Sequence, residues 1–188
     1  MGMPHPARDW TVQRVLALPD DGNRYEVVDG ELLVTPAPTF NHQEAVGTLY
    51  IALARYLAGT AIGRAVMSPA DIELDPATLV QPDVFVVPLV HGRRPKRWTD
   101  IRSLLLAAEV LSPSTARADR TVKRLRYQRA GVPEYWIVDV DARLVERWRP
   151  ADERPEIVTE RLVWHPDPVV PAFAIGLARF FADVLDEG

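Results

Sequence analysis

Two carboxylates and one amine in the segment Gln81 to Asp139 could carry hydrolytic chemistry. Asp83 opens the apolar run VFVV, Glu109 stands inside LLLAAEVL, and Lys123 follows in RTVKRLRYQRAG. A carboxylate inside an apolar run is costly unless it is paired or coordinates a cation. An acid pair with an ammonium nearby is the inventory of metal-dependent phosphodiester hydrolysis. Oxygen ligands hold a hard cation, the cation activates water, and the ammonium offsets charge on the phosphate. Each residue also has a plainer reading. Glu109 could face out from an edge strand or pair with an arginine, and Asp119 and Lys123 have the spacing of an ion pair on a helix surface.

The elements that must position these groups follow from pattern. A helix is predicted over Arg8 to Leu18, stopped by Pro19-Asp20-Asp21-Gly22. RYEVVDGELLVT, from Arg24 to Thr35, reads as a hairpin turning at Asp29-Gly30. Val46, Leu49, Tyr50, Leu53, Tyr56 and Leu57 recur at helical spacing and predict a helix over Asn41 to Ala58, capped by Thr39 or Asn41 and closed by Gly59. Strands are expected at Ala65–Met67, Ala70–Leu74, Val84–Val87, Ser103–Leu111 and Glu134–Asp139. A helix over Arg117 to Ala130, ended by Gly131, connects the last two. Arg143–Arg149 and Glu156–Trp164 are expected to pair, with a terminal helix over Ala178–Leu185. The pattern is mixed α/β in one domain spanning residues 1–188, with its core over about 8–185.

Composition sets bounds. At 188 residues, 47% hydrophobic and 26% charged, the chain suits one globular core. The absence of cysteine excludes a thiolate metal site and fits a reducing compartment. MGMPHPARDW has no signal-like apolar stretch, and no apolar run approaches membrane-spanning length, so a soluble cytoplasmic protein is expected. A net charge of -4 argues against bulk binding to nucleic acid and leaves local patches to do it. Two are present: His91 to Trp98 (HGRRPKRW) holds four lysines or arginines, and Arg120 to Arg129 holds five with no acid among them. Both are expected to flank the acid pair. Tyr135, Trp136 and Trp148, on strands, read first as core.

RYEVVDGELLV with Asn41-His42 downstream, QPDVFVV, AEVLSPST, DRTVKRLRYQRAGVPEYWIVD and PAFAIGLARFFADV together resemble the Uma-two family, placed with the endonucleases of the PD-(D/E)XK superfamily. The resemblance implies a restriction-endonuclease-like fold, a central mixed sheet flanked by helices, with Asp83 and Glu109 as the motif acids. The plain motif has its lysine two residues after the glutamate, where this chain has Leu111. The resemblance therefore implies that Lys123 supplies the ammonium from the next helix. It also offers Glu26 as a further acid, although Glu26 could simply pair with Arg24 or another basic group. His42 and Glu44 are lesser candidates beside a helix-terminus or surface role.

The function expected is an Mg²⁺- or Mn²⁺-dependent endonuclease acting on nucleic acid, DNA first, as a possible homodimer. Asp83, Glu109 and the Val110 carbonyl would be metal ligands and Asp83, Glu109, Lys123 and Glu26 the catalytic set. A catalytically silent nucleic-acid-binding module and a partner-binding protein on the same fold are the alternatives.

Overall fold

The computed structural model describes residues 9–187, so Arg8 and most of the segment read for a signal peptide lie outside the described residues. The first helix is shorter than expected: α1 (Val12–Leu16) is capped by the Thr11 side chain. β1 (Arg24–Val28) and β2 (Glu31–Thr35) form the expected hairpin, and Asp29 and Gly30, at φ 50° and 82°, supply the left-handed turn that Asp-Gly favours. α2 (Phe40–Ala58) takes Thr39 as its cap and buries Ala45, Val46, Leu49, Leu53 and Leu57.

β3 (Gly63–Met67) and β4 (Ile72–Asp75) are each shifted from the expected spans, and β5 (Thr78–Val80) was not expected at all. Three residues are too few for an alternation to register. β6 (Val84–Pro88) and β7 (Leu106–Val110) are the buried runs that carry the acids; Ser103 to Leu105 belong to the approach to β7 rather than the strand. From there α3 (Ala116–Ala118) passes through a π-helical turn, Asp119–Lys123, into α4 (Arg124–Arg129). Gly131, at φ 69°, ends it, and the chain re-enters as β8 (Tyr135–Asp139).

β9 (Leu144–Trp148) pairs with β10 (Glu156–Val158), but the expected partnership stops there. A bend at Thr159–Glu160 breaks the ladder, and β11 (Arg161–Trp164) pairs instead with β12 (Phe173–Gly176), another strand not anticipated. Leu162 and Trp164 alternate inward on β11 and join the core at Trp136, which rewards the turn away. α5 (Leu177–Val184) follows.

The six-stranded sheet has the order β10-β9-β8-β7-β6-β3, and only β7 and β8 run parallel. One face packs on α2, α5 and β11–β12 around Leu49, Leu53, Val86, Trp136 and Phe181. The other packs on α4 and on the four-stranded sheet β2-β1-β5-β4, around Phe85, Ile137, Tyr127 and Tyr135. Two covered faces explain why β6 and β7 read as continuous apolar runs rather than alternations. Trp136, Tyr135 and Trp148 are core residues, at 0%, 1% and 7% exposure.

Candidate active site

β6 and β7 are antiparallel with Val84 opposite Ala108, so one step along this register sets Asp83 opposite Glu109 on one face of the sheet. It is the face covered by α4 and the smaller sheet, and both carboxylates are buried at 2% exposure. Asp83 Oδ1 accepts from Arg24 Nη1 at 2.8 Å, and Oδ2 accepts from the Val110 N–H at 2.9 Å with His42 Nε2 at 3.2 Å. Burial alone would raise the Asp83 pKa, but the hydrogen bond and charge of His42, with Arg24 behind them, hold it down to about 2. His42 is raised in turn, its own burial outweighed by Asp83.

Lys123 gathers the remaining acids. Its Nζ lies 2.6 Å from Glu109 Oε1, 3.1 Å from Glu26 Oε1 and 3.4 Å from Asp119 Oδ1. Glu26 also accepts the Gln81 N–H at 2.7 Å, and Glu109 accepts from the Tyr127 hydroxyl at 3.2 Å. Lys123 is 3% exposed; burial would discharge it, but Glu109, Glu26 and Asp119 together hold its pKa well above the usual lysine range. Burial pushes Glu109 well up, and Asp119, Asp83 and Glu26 add to the rise that Lys123 only partly offsets. Asp119 is raised by burial against the same ammonium.

The π-helical turn explains how one helix delivers Asp119, Lys123 and Tyr127 to a single face. At 3.6 residues per turn, eight residues of α-helix would leave the first and last about 80° apart; one extra residue in a turn reduces the offset to about 20°. Tyr127 then reaches Glu109, and Tyr135 OH donates to the Asp119 carbonyl at 3.1 Å.

Four buried carboxylates (Glu26, Asp83, Glu109, Asp119) face two permanent cations, Arg24 and Lys123. Counted as ionised, the carboxylates exceed the permanent cations by two negative charges, an excess that burial of Glu109 and Asp119 and the pull of Asp83 on a His42 proton both reduce and that a bound cation would offset. Both Asp119 carboxylate oxygens are buried without a hydrogen-bond partner. All these donors are oxygens, which suits Mg²⁺ or Mn²⁺. Among the described residues, however, no three His, Cys, Asp or Glu side chains stand gathered as a ready metal cage. The residues fit the ion in donor type and charge, and a cation would compete with Arg24 and His42 for Asp83 and with Lys123 for Glu109.

Of the two partners open to Glu26, it takes the other basic group, Lys123, while Arg24 goes to Asp83. Several expectations need correction. The Asp119–Lys123 ion pair exists but is buried rather than on a helix surface. Glu109 neither faces out nor meets an arginine. Glu44 is exposed on α2, outside the cluster, whereas His42 is inside it. Leu111, at the usual lysine position, packs against the core. The Val110 N–H donates to Asp83.

The basic segments part company. In Arg120 to Arg129, Arg120 is tied to Asp139 and Glu146, Arg126 to Asp75, Arg129 to Asp29, and Arg124 lies over the Trp148 ring at 4.5 Å. That segment is neutralised, and His91 to Trp98 lies beyond the far end of β6 from Asp83. Sequence reasoning gave Arg24, Asp119 and Tyr127 no place in the site. The signals for them were spacing: Arg24 and Glu26 share a strand face, and Asp119, Lys123 and Tyr127 recur every four residues.

No helix among the described residues is long and apolar enough to cross a membrane. No curated protein matches the chain. Among solved structures it is similar to one described as "a putative nuclease belonging to DUF820 from Anabaena variabilis ATCC 29413", with a TM-score of 0.74 at 19% identity over 93% of this chain and 99% of that one. That likeness establishes the restriction-endonuclease-like fold. A family model described as "Putative restriction endonuclease" matches residues 12–178, taking in every element from α1 to β12 and all the acids and cations of the buried cluster, and the chain belongs to this family, Uma2.

Proposed function

We propose that the protein is a metal-dependent nuclease that hydrolyses phosphodiester bonds of nucleic acid, DNA first, with Asp83, Glu109, Lys123 and Glu26 as its catalytic set. The observation that carries this reading is the place of Lys123. The ammonium missing at position 111 arrives from the next helix and stands 2.6 Å from Glu109 Oε1. Asp83 and Glu109, with the Val110 carbonyl, would hold Mg²⁺ or Mn²⁺, which when bound lowers the pKa of a water and offsets charge on the scissile phosphate.

The chain's own groups supply the rest. Lys123, kept charged by its acids, is fixed between Glu26 and Glu109 and can orient a water or stabilise negative charge at the phosphate without reorganising. Glu26, itself anchored on the Gln81 N–H, holds the ammonium in that position. Arg24 and His42 keep Asp83 ionised and aimed. A homodimer, one site per strand, belongs to the same proposal.

One observation favours the silent binding module: Arg24, His42 and the Val110 N–H already occupy both Asp83 oxygens. A cleavage assay with Mg²⁺ or Mn²⁺ on single- and double-stranded DNA and RNA decides between them. Asp83→Asn, Glu109→Gln and Lys123→Met should each lower the rate by about 10²–10³-fold, the cost of removing one preorganised charge from an active site. Activity that survives both acid substitutions would rule this site out.

A further inference from the structure

A groove of about 540 Å³ opens at the other end of β6 from Asp83. Arg64 of β3 and, after β6, Arg94, Lys96, Arg97 and Trp98 line it together with Val87. Elsewhere Arg120, Arg126, Arg129, Arg143, Arg147 and Arg149 have carboxylate partners. The groove gathers cations that do not. Among the described residues Arg64, Arg94 and Lys96 have no acidic partner, and Arg97, paired with Asp100 at 2.7 Å, is still 76% exposed. In a chain of net charge -4, unpaired cations crowded around one groove repel each other and call for an anion from outside.

Trp98 gives the anion a second property. Its ring is 44% exposed, and it meets the fully buried Phe85 edge-on, at 6.5 Å between centroids and 64° between planes. An aromatic braced from the core and open to a cationic groove is a platform for a planar, unstacked base.

We infer that this groove binds a single strand of nucleic acid, its phosphates on Arg64, Arg94 and Lys96 and a base stacked on Trp98. The inference rests on the proposed nuclease function for the nature of the polyanion, and it extends that function to an anchoring site away from the acids. Val87 and Asp83 lie on the same sheet face four strand steps apart, about 13 Å at the usual rise. A single strand covers that in a few nucleotides. β3, at the open edge of the sheet, links the two places: Arg64 stands in the groove, and Ser68, just past its other end, accepts from Arg24 beside Asp83 at 3.1 Å.

The test is fluorescence anisotropy on the metal-free full-length protein, with labelled DNA and RNA oligonucleotides of one sequence, single-stranded and duplex. Single strands should bind more tightly than duplexes, and the DNA and RNA arms show which backbone is preferred. R64A/R94A/K96A, all at exposed positions, should lower single-strand affinity at least about 10-fold and reduce the slope of log K against log salt by about 2, the share of three phosphates. Trp98→Ala should lower affinity by about 10-fold with the salt slope unchanged, and Trp98→Phe should recover it. Circular dichroism checks that each variant is folded. Wild-type protein that binds no nucleic acid, a triple variant that binds like wild type, or a duplex preference indifferent to Trp98 overturns the inference. Single-strand binding by a wild-type protein that cleaves no nucleic acid with Mg²⁺ or Mn²⁺ counts against the nuclease reading alone. Cleavage intact with the triple variant's affinity unchanged counts against the groove alone.

Discussion

Lys123 is the only permanent cation in contact with Glu26, Glu109 and Asp119 among the described residues, and at 3% exposure it has no access to bulk solvent to share the task. Removing one partner of a buried ion cluster costs about 3–5 kcal/mol, because the charges left behind have neither water nor a counter-ion. Lys123→Met should therefore destabilise the protein by about that amount at neutral pH, as read from denaturant unfolding. The pH dependence follows from the raised carboxylates. A folded-state pKa above the unfolded value means that the folded state holds the proton longer, so stability falls as pH rises past the unfolded value near 4.5. Without the ammonium that partly offsets this rise, the fall steepens. The variant's deficit should be small near pH 5 and grow toward pH 8; a deficit constant across that window would mean that Lys123 acts by packing alone.

At the scale of the element, the π-helical turn Asp119–Lys123 sets which side chains reach the acids. Thr121 lies within it, exposed, its hydroxyl bonded back to the Arg117 carbonyl at 2.6 Å. Deleting Thr121 would restore a regular α-helix and keep the offset between Asp119 and Tyr127 at about 20°, because seven α-helical steps turn through the same angle as eight steps that hold one extra residue. Lys123 and Tyr127 then stay on the face of Glu109. Cleavage and the far-UV helical signal should both be kept near the wild-type level, and a drop to the level of Lys123→Met would show that the angle across the turn is not what aims the lysine. The composition of this segment announces a helix, and its fourfold spacing announces a face. The widened turn has no such signature, since it arises where packing against β8 and the acids favours one more residue per turn.

For the molecule as a whole, the crowding of buried carboxylates around Lys123 and Asp83 would link folding to binding of the proposed cation. A cation that binds only the folded state stabilises it by about 2.7 kcal/mol at a hundredfold excess over Kd. For a domain of this size that is a rise of about 5–10 °C in Tm. Mg²⁺ or Mn²⁺ should produce such a rise in the wild type and much less in Asp83→Asn or Glu109→Gln, measured calorimetrically in the absence of nucleic acid. Equal shifts in all three proteins would place the ion elsewhere. The two basic segments show the same global accounting: each is half lysine and arginine, yet one is neutralised largely by acids on β4, the β1–β2 turn, β8 and β9, and the other is left open.

By itself the sequence determined what local chemistry and period can determine. Asp29-Gly30 makes a hairpin because those two residues tolerate positive φ, and α2 forms because its apolar residues recur every three or four positions behind a Thr39 cap. Asp83 and Glu109 stood out because carboxylates rarely interrupt buried strands. The short strands β5 and β12 and the turn of β11 away from β10 escaped, since three or four residues show no clear alternation and Leu162 and Trp164 of β11 are drawn inward by a core built from other segments. Only the tertiary structure decided which cation meets which acid. Arg24 and Glu26 are two residues apart and part ways, one to Asp83 and the other to Lys123, because charge pairing depends on what lies across the sheet and on the helix above it. Sequence neighbours share a strand face, but their partners are chosen through space, where burial makes each unmatched charge too costly to leave alone.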